Sequence, residues 1–344
     1  MIVIYIYKKH FFINKVLGTK TKNIYDLIEE KDKHYFNKTI QKKNGVRELK
    51  CLKEGDFKHI QQNLKKNFLD ELPIPDYVYG FVKSSSYKDF LLPHIGKMYY
   101  VRLDIKDFFP SVKRDLLFQA FKGYFKLDGS DNDDVLNLFV DIVTLNEELP
   151  QGAVTSPVIS NIVFRSLDIR IKYYCDKLGI TYTRYADDLL FSSTNEQLHS
   201  RYFIKKVSKI LGDKKFKLNT EKTLKYKEEI SLNGFVVGKK VRLSRKRKSD
   251  LAQVIRLCRN VTKQMDFDTL LSQLNQLDLK YRKKTVLDNG EEVYFSSKET
   301  LANYLLGFRS FFIDWLNTNL ISDKRDIKFF IDQIETFIDK HYAI

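Results

Sequence analysis

Apolar positions along the chain recur at helical spacing in some stretches and alternate in others, and the switches between the two mark its elements. In FKHIQQNLKKNFLDEL (57–72), Phe57, Ile60, Leu64 and Phe68 share one face, which predicts the first strong helix. YYVRLDIKDFFPSV (99–112) reads as a strand running into a turn at Pro110. PQGAVTSPVISNIVFRSLDIRIKYY begins as a glycine-containing loop and becomes a helix, with Ser156 expected as N-cap and Pro157 at the first helical position. ITYTRYADDLLFSS (180–193) predicts two short strands about a turn. A helix over roughly 196–211, the short stretch KFKLNTEKT and a strand pair around SLNGFVVGKKVRLS follow. From Ser244 the pattern is helical, with Leu251, Val254, Ile255, Cys258 and Val261 on one stripe. LDNGEEVYF interrupts it with an Asn-Gly hairpin signal, and ETLANYLLGFRSFFIDWL returns to helix. The prediction is an α+β body, a break near residue 240, and a mainly helical C-terminal domain. The opening MIVIYIYKKHFF reads as an edge strand or the start of the fold, its apolar run being too short for a signal-peptide core or a membrane span.

Composition adds a charge. Lys and Arg total 60 against 44 Asp and Glu, a net +16 with pI about 9.4. A polyanionic partner, nucleic acid before a membrane surface, accounts for that balance, and so does a lysine-rich solubilising surface. The three cysteines, Cys51, Cys175 and Cys258, stand far apart with no CxxC or Cys/His cluster, which argues against a zinc site or disulfide framework and fits a reducing cytoplasm. The expected protein is soluble, cytoplasmic and without a membrane partner.

One stretch does not fit a structural pattern. In TRYADDLLFSS, Asp187 and Asp188 sit side by side amid strand residues, although adjacent carboxylates repel and each resists desolvation. A turn between strands can hold both at a sheet surface, where a divalent ion neutralises them. Asp104, in a strand between Leu103 and Ile105, supplies a third carboxylate. Three carboxylates bridging two Mg²⁺ ions about 3.5–4 Å apart can activate a 3′-hydroxyl and stabilise leaving pyrophosphate. Mg²⁺ prefers oxygen ligands, in keeping with a site built of Asp. A plain polar turn, with Asp104 capping an element, is the bland alternative.

The segments around these aspartates resemble a reverse transcriptase. YADD (185–188) resembles motif C of that family, LDIKDFFPSV (103–112) motif A, LPQGAVTSPVISNIVF (149–164) motif B and LNTEKT (218–223) motif D. LNGFVVGKK (232–240) falls where the primer grip does, so the ordered motifs cover roughly 45–240. The resemblance implies a right-hand polymerase: N-terminal segment and fingers over 1–98, palm with an inserted fingers portion over 99–240, and a helical thumb over 241–344. It implies Asp104, Asp187 and Asp188 as catalytic metal ligands, with the Ile105 backbone carbonyl helping to hold the nucleotide-side ion. Phe109 matches the aromatic that clashes with a ribose 2′-hydroxyl, while Phe108 is expected in the core. Gln151 and Gly152 match the pair lining the nucleotide pocket, and Lys222 the lysine that protonates or neutralises the leaving group. KKNGVRELKCL (42–52) resembles the finger hairpin that contacts the triphosphate, with Arg47 first and Lys42 and Lys43 next. Lys239, Lys240, Arg242, Arg245, Lys246, Arg247 and Lys248 form a basic run expected to hold template-primer phosphates.

Within that family the layout of residues 80–112, with His94, and LLGFRSFF (305–312) resemble compact bacterial enzymes of the retron and defence-associated types. Phe90-Leu91 and Leu232-Asn233-Gly234 depart from the retron pattern, which points to a divergent retron or a defence-associated relative. The expected function is RNA-directed DNA synthesis from dNTPs that copies a dedicated non-coding RNA into an RNA/DNA hybrid in antiphage defence. An effector protein or a second copy of the chain would be further partners, since no RNase H, integrase or protease segment is visible. Template-independent or protein-primed synthesis is the alternative within polymerases. A catalytically idle RNA-binding scaffold is the alternative of another class, and it predicts erosion of a site whose residues are all present.

Overall fold

The computed structural model describes residues 5–42, 45–127, 130–260, 266–287, 290–317 and 322–342. The chain divides into two compact units: one comprises the described residues up to Phe90 together with Tyr99–Lys225, the other Leu91–Met98 with the described residues from Tyr226 onward. No described helix is long and apolar enough to cross a membrane.

The first unit is built on an antiparallel sheet. β1 (Tyr35–Lys42) and β2 (Gly45–Leu52) form a separate hairpin, paired from Tyr35↔Leu52 to Lys42↔Gly45. β3 (Tyr99–Asp104) lies against β5 (Asp188–Ser193), with Asp104 opposite Asp188, and β4 (Thr181–Tyr185) pairs with the other side of β5. Every residue of β5 is buried, as expected for a central strand covered on both faces. The helix Ser156–Lys177 buries Val158, Ile159, Ile162, Val163, Leu167 and Ile171 in the core that β3, β5 and the helix Asp56–Asn67 share. That last helix buries Phe57, Ile60 and Leu64, the face its spacing predicts. The strand β6 (Leu224–Lys227) carries the chain out of this unit.

Several local expectations shift. Ser156 is the first helical residue, not the N-cap, and its hydroxyl donates to the Pro150 carbonyl at 2.7 Å; Thr155 caps without a side-chain bond, its hydroxyl donating to Gln61 at 3.3 Å. The helix expected over 196–211 is a 3₁₀ turn, Glu196–His199, then a helix Arg201–Gly212 started by Ser200, whose hydroxyl accepts from the Phe203 N–H. At the N-terminus Ile6 makes a single parallel bridge to Phe125, and the chain is helical from Lys9.

In the second unit three strands, not two, form a meander: β7 (Ile230–Leu232), β8 (Phe235–Val237) and β9 (Val241–Leu243). Phe235 stacks on Trp315 of the helix Lys298–Leu316 at 5.1 Å, and the Leu243 N–H donates to Asp323 at 3.0 Å. Those contacts assign the meander to the C-terminal helices, so the division falls at Lys225–Tyr226 and not near 240. Leu91–Met98 joins it through Gly96 N–H donating to the Gly238 carbonyl at 2.8 Å. The helix Arg245–Arg259, capped by Ser244, buries Leu251, Val254, Ile255 and Cys258; Val261 lies outside the described residues. β10 (Thr285–Val286) and β11 (Glu292–Val293) form the hairpin predicted from Asn-Gly.

Candidate active site

Pairing of Tyr185 with Asp188 leaves Ala186 and Asp187 as a two-residue turn at the end of the sheet. Such turns need a left-handed central residue, and Ala186 supplies it at φ 55°. A buried lattice holds this turn. Arg184 is fully buried and pairs bidentately with Asp168 at 2.8 and 2.7 Å, while Tyr182 donates to the same carboxylate at 2.7 Å. Arg184 also donates to Asn161 at 3.0 Å and to the Ala186 carbonyl at 3.1 Å. Asn161 in turn donates to the Gly80 carbonyl at 2.8 Å. A Cβ on Gly80 would stand 2.3 Å from the Ala186 nitrogen, so only glycine lets this segment reach the turn.

Register then sets the carboxylates together: Asp104 ends β3 opposite Asp188, and the Ile105 N–H donates to the Asp187 carbonyl at 2.9 Å. Lys222 donates to both Asp104 oxygens at 3.0 and 3.1 Å. Arg102 donates through Nε to Asp188 at 3.0 Å and lies 3.8 Å from Asp104. Burial raises the Asp187 pKa above the usual carboxylate range, with Asp104 adding to the rise and Arg47 and Lys222 opposing it. Burial likewise pushes Asp188 up to about 6 against the pull of Arg102.

A cleft of about 460 Å³ opens beside these groups. Arg47, Asp104, Ile105, Phe109, Gln151, Asp187 and Lys222, drawn from five segments expected in the site, all line it. Phe108 is buried against Phe164 and Phe216, whereas half-buried Phe109 lines the cleft beside Phe81 at 5.9 Å. Phe81, Asp107 and Ala186 line it with φ between 46° and 61°, a concentration of left-handed non-glycine backbone.

Other expected residues stand elsewhere. Gly152 is not among the lining residues; at φ 121° its absent side chain admits the Lys50 carbonyl, which a Cβ would meet at 3.0 Å. Beside it the Lys50 N–H donates to the Gln151 carbonyl at 2.8 Å, so this glycine fastens the finger hairpin to the loop. Lys43 lies outside the described residues, as does the side chain of Lys42. In the second unit the basic run is largely occupied. Arg242 pairs with Glu229, Lys246 with Asp250 and Asp278, and Lys248 with Asp323 and Asp326. Arg247 lays its guanidinium over Phe235, Phe311, Phe308 and Tyr281 at 4.6–6.0 Å, an internal aromatic contact and not an outward charge. Lys239, Lys240 and Arg245 are exposed.

Arg102, Arg184, Asp168, Asn161 and Gly80 escaped the sequence reading. The available signals were an arginine inside the TYTRY strand and Asp168 on the apolar helix face between Leu167 and Ile171. Among the described residues no three Asp, Glu, His or Cys side chains stand as a ready-made ligand set, since Lys222 and Arg102 hold two of the three carboxylates. The donors nonetheless fit a hard divalent cation: all are oxygens, and burial, with neighbouring carboxylates adding to it, raises the pKa of Asp187 and Asp188, a cost that a bound cation would offset.

The family model for reverse transcriptase (RNA-dependent DNA polymerase) matches residues 40–237. The chain is similar to the retron Ec86 reverse transcriptase of Escherichia coli, at 33% identity over 171 residues, 48% of this chain and 51% of that one. It is 35% identical to the retron Ec73 reverse transcriptase of Escherichia coli over 194 residues, 53% of this chain and 60% of the relative. To the retron Mx65 reverse transcriptase of Myxococcus xanthus it is 30% identical over 216 residues, 56% and 48% of the two chains. The chain thus spans about half the length of the curated relatives it matches. Among solved structures it is similar to apo telomerase from Candida tropicalis, with TM-score 0.49, 12% identity, and 90% of this chain and 57% of that one covered.

Proposed function

Because the chain belongs to the reverse transcriptase family, we propose that it extends a primer 3′ end with deoxynucleotides, reading an RNA template. The observation that carries this reading is the cleft in which Asp104, Asp187, Phe109, Gln151, Arg47 and Lys222 meet. Asp104, Asp187, Asp188 and the Ile105 carbonyl would hold two Mg²⁺ ions. Bound there, the metal supplies positive charge for an attacking 3′-hydroxyl and for departing pyrophosphate. The chain's own groups do the rest. Arg47 offers a fixed donor fork to the triphosphate. Phe109 bounds the sugar from below and rejects a 2′-hydroxyl, and Gln151 lines the nucleotide pocket. Lys222, which donates to Asp104, would pass its charge, or its proton, to the leaving group. Lys239, Lys240 and Arg245, exposed in the second unit, contact template-primer phosphates.

The template is a dedicated non-coding RNA copied in antiphage defence, a reading supported by the likeness to retron reverse transcriptases. Sequencing of the nucleic acid that copurifies with the protein tests it, beside an Asp187→Ala/Asp188→Ala control. The expected result is one defined RNA with complementary DNA, the DNA missing from the control. Repetitive DNA with no matching RNA would replace this reading by untemplated synthesis. The same RNA in both samples with DNA in neither would replace it by a scaffold.

A further inference from the structure

A second cleft of about 280 Å³ lies within the first unit, formed by the end of the helix Ser156–Lys177, the end of β5 and the start of the helix Arg201–Gly212. Its floor is Tyr174 stacked on Phe203 at 5.9 Å and 16°, and its walls include Leu178 and Tyr202. Tyr202 is 65% exposed and Leu178 45%, an apolar opening that the fold leaves uncovered. At the rim Asn195 uses its side-chain oxygen to accept the Gln197 N–H, which leaves its NH₂ group and the exposed Gln197 amide for an incoming polar edge.

One side of this opening carries a row of positive charge, while Glu196 lies at the rim between Asn195 and Gln197. On the helix Arg201–Gly212, Phe203, Val207 and Leu211 are buried, while Tyr202, Lys205, Lys206 and Lys209 fall at i, i+3, i+4 and i+7 on the outward side. Lys206 places its ammonium 5.4 Å from the Tyr202 ring centre. The helix RYFIKKVSKILG contains no acidic residue, and none of the three lysines makes an ion pair among the described residues. Like charges four apart repel, so the stripe is poised for an anion from outside. An exposed aromatic face, a slot of base size, two amides and a row of cations together match an unpaired nucleotide with its flanking phosphates. A lipid surface would use the cations but leave the amides and the stacking floor idle.

We propose that this cleft is a second nucleic-acid site, which stacks one unpaired base on Tyr202 and lays the neighbouring phosphates along Lys205, Lys206 and Lys209. It is separate in residues from the cleft that holds Asp104 and Asp187, and it fits an anchor for a single-stranded segment.

Photo-crosslinking of the full chain tests the proposal. The probes are uridine RNA on the order of ten nucleotides long, bearing one 4-thiouridine, and the matching 4-thiothymidine DNA. Crosslinked peptides are mapped by mass spectrometry, and affinity is read by fluorescence anisotropy. Wild type is expected to crosslink within 195–206, and Tyr202→Ala, an exposed position, to lose that crosslink and bind about tenfold more weakly. Replacing Lys205, Lys206 and Lys209 by Gln is expected to lower the slope of log affinity against log salt by about 2. A stronger signal with RNA than with DNA assigns the source as RNA, and the reverse assigns DNA. Crosslinks confined to other peptides, or unchanged affinity in both variants with wild-type circular dichroism, would overturn the proposal. So would self-association of wild type that Tyr202→Ala abolishes, since a second copy would then be the occupant.

Discussion

Adjacent phenylalanines divide between two tasks because the chain turns between them. Phe108 fills the core against Phe164 and Phe216, and Phe109 faces the cleft. Removal of the second ring is therefore not a core truncation. Phe109→Ala is expected to raise ribonucleotide over deoxynucleotide incorporation roughly tenfold or more, because a steric clash with the 2′-hydroxyl disappears. Primer extension with each nucleotide set measures the ratio, and an unchanged ratio would remove Phe109 from this role. Arg184 behaves differently, since its partner Asp168 is fully buried. Arg184→Met strands that carboxylate and is expected to destabilise the fold by about 3–5 kcal/mol in urea unfolding. Asp168→Leu added to it should recover part of the loss, because no charge then remains buried.

At the scale of elements, two glycines splice segments that hydropathy treats as separate. Gly80 presses against the Tyr185–Ala186 backbone, and Gly152 against Lys50 of β2. Gly152→Ala combines a positive φ with a 3.0 Å backbone contact, so the finger hairpin must move away from Gln151. The expected outcome is a raised KM for dNTP, with Arg47 withdrawn, and a smaller change in stability; an unchanged KM would sever the hairpin from nucleotide binding. Such splices explain what the sequence could and could not convey. The strands, the long helices and the meeting of Asp104 with Asp187 and Asp188 were legible, because alternation and turn chemistry are local. The lattice of Gly80, Asn161, Asp168 and Arg184 was not, because its members meet only after the sheet and the helix Ser156–Lys177 pack. The internal partners of the basic run were hidden for the same reason. Its charges are visible in RKRK, but the acids and rings that engage Arg242, Lys246, Arg247 and Lys248 are scattered from Glu229 to Asp326.

Over the whole molecule, acid is expected to weaken the fold through His94. Complete burial holds its pKa down to about 3, against the ordinary 6.5. Between those values the unfolded chain carries a proton that the folded chain does not. Stability is thus full above about pH 6.5 and falls as pH drops, by about 2 kcal/mol at pH 5 from this group alone. Urea midpoints of wild type and His94→Gln across pH 4–8 check this, the variant lacking that component of the slope. The net charge of +16 sets a second dependence: affinity for any nucleic acid should fall linearly in log salt.

The ion pair between Lys222 and Asp104 spans 118 residues of chain. During synthesis at about 5–20 residues per second, Asp104 leaves the ribosome roughly 6–24 s before its partner exists. Arg102, two residues from Asp104, is made earlier and can neutralise the nascent carboxylates in the interval. A chain released before Lys222 would hold a sheet and a turn but no closed cleft. The order of translation therefore completes the lining of the cleft only once the segment carrying Lys222 has been made.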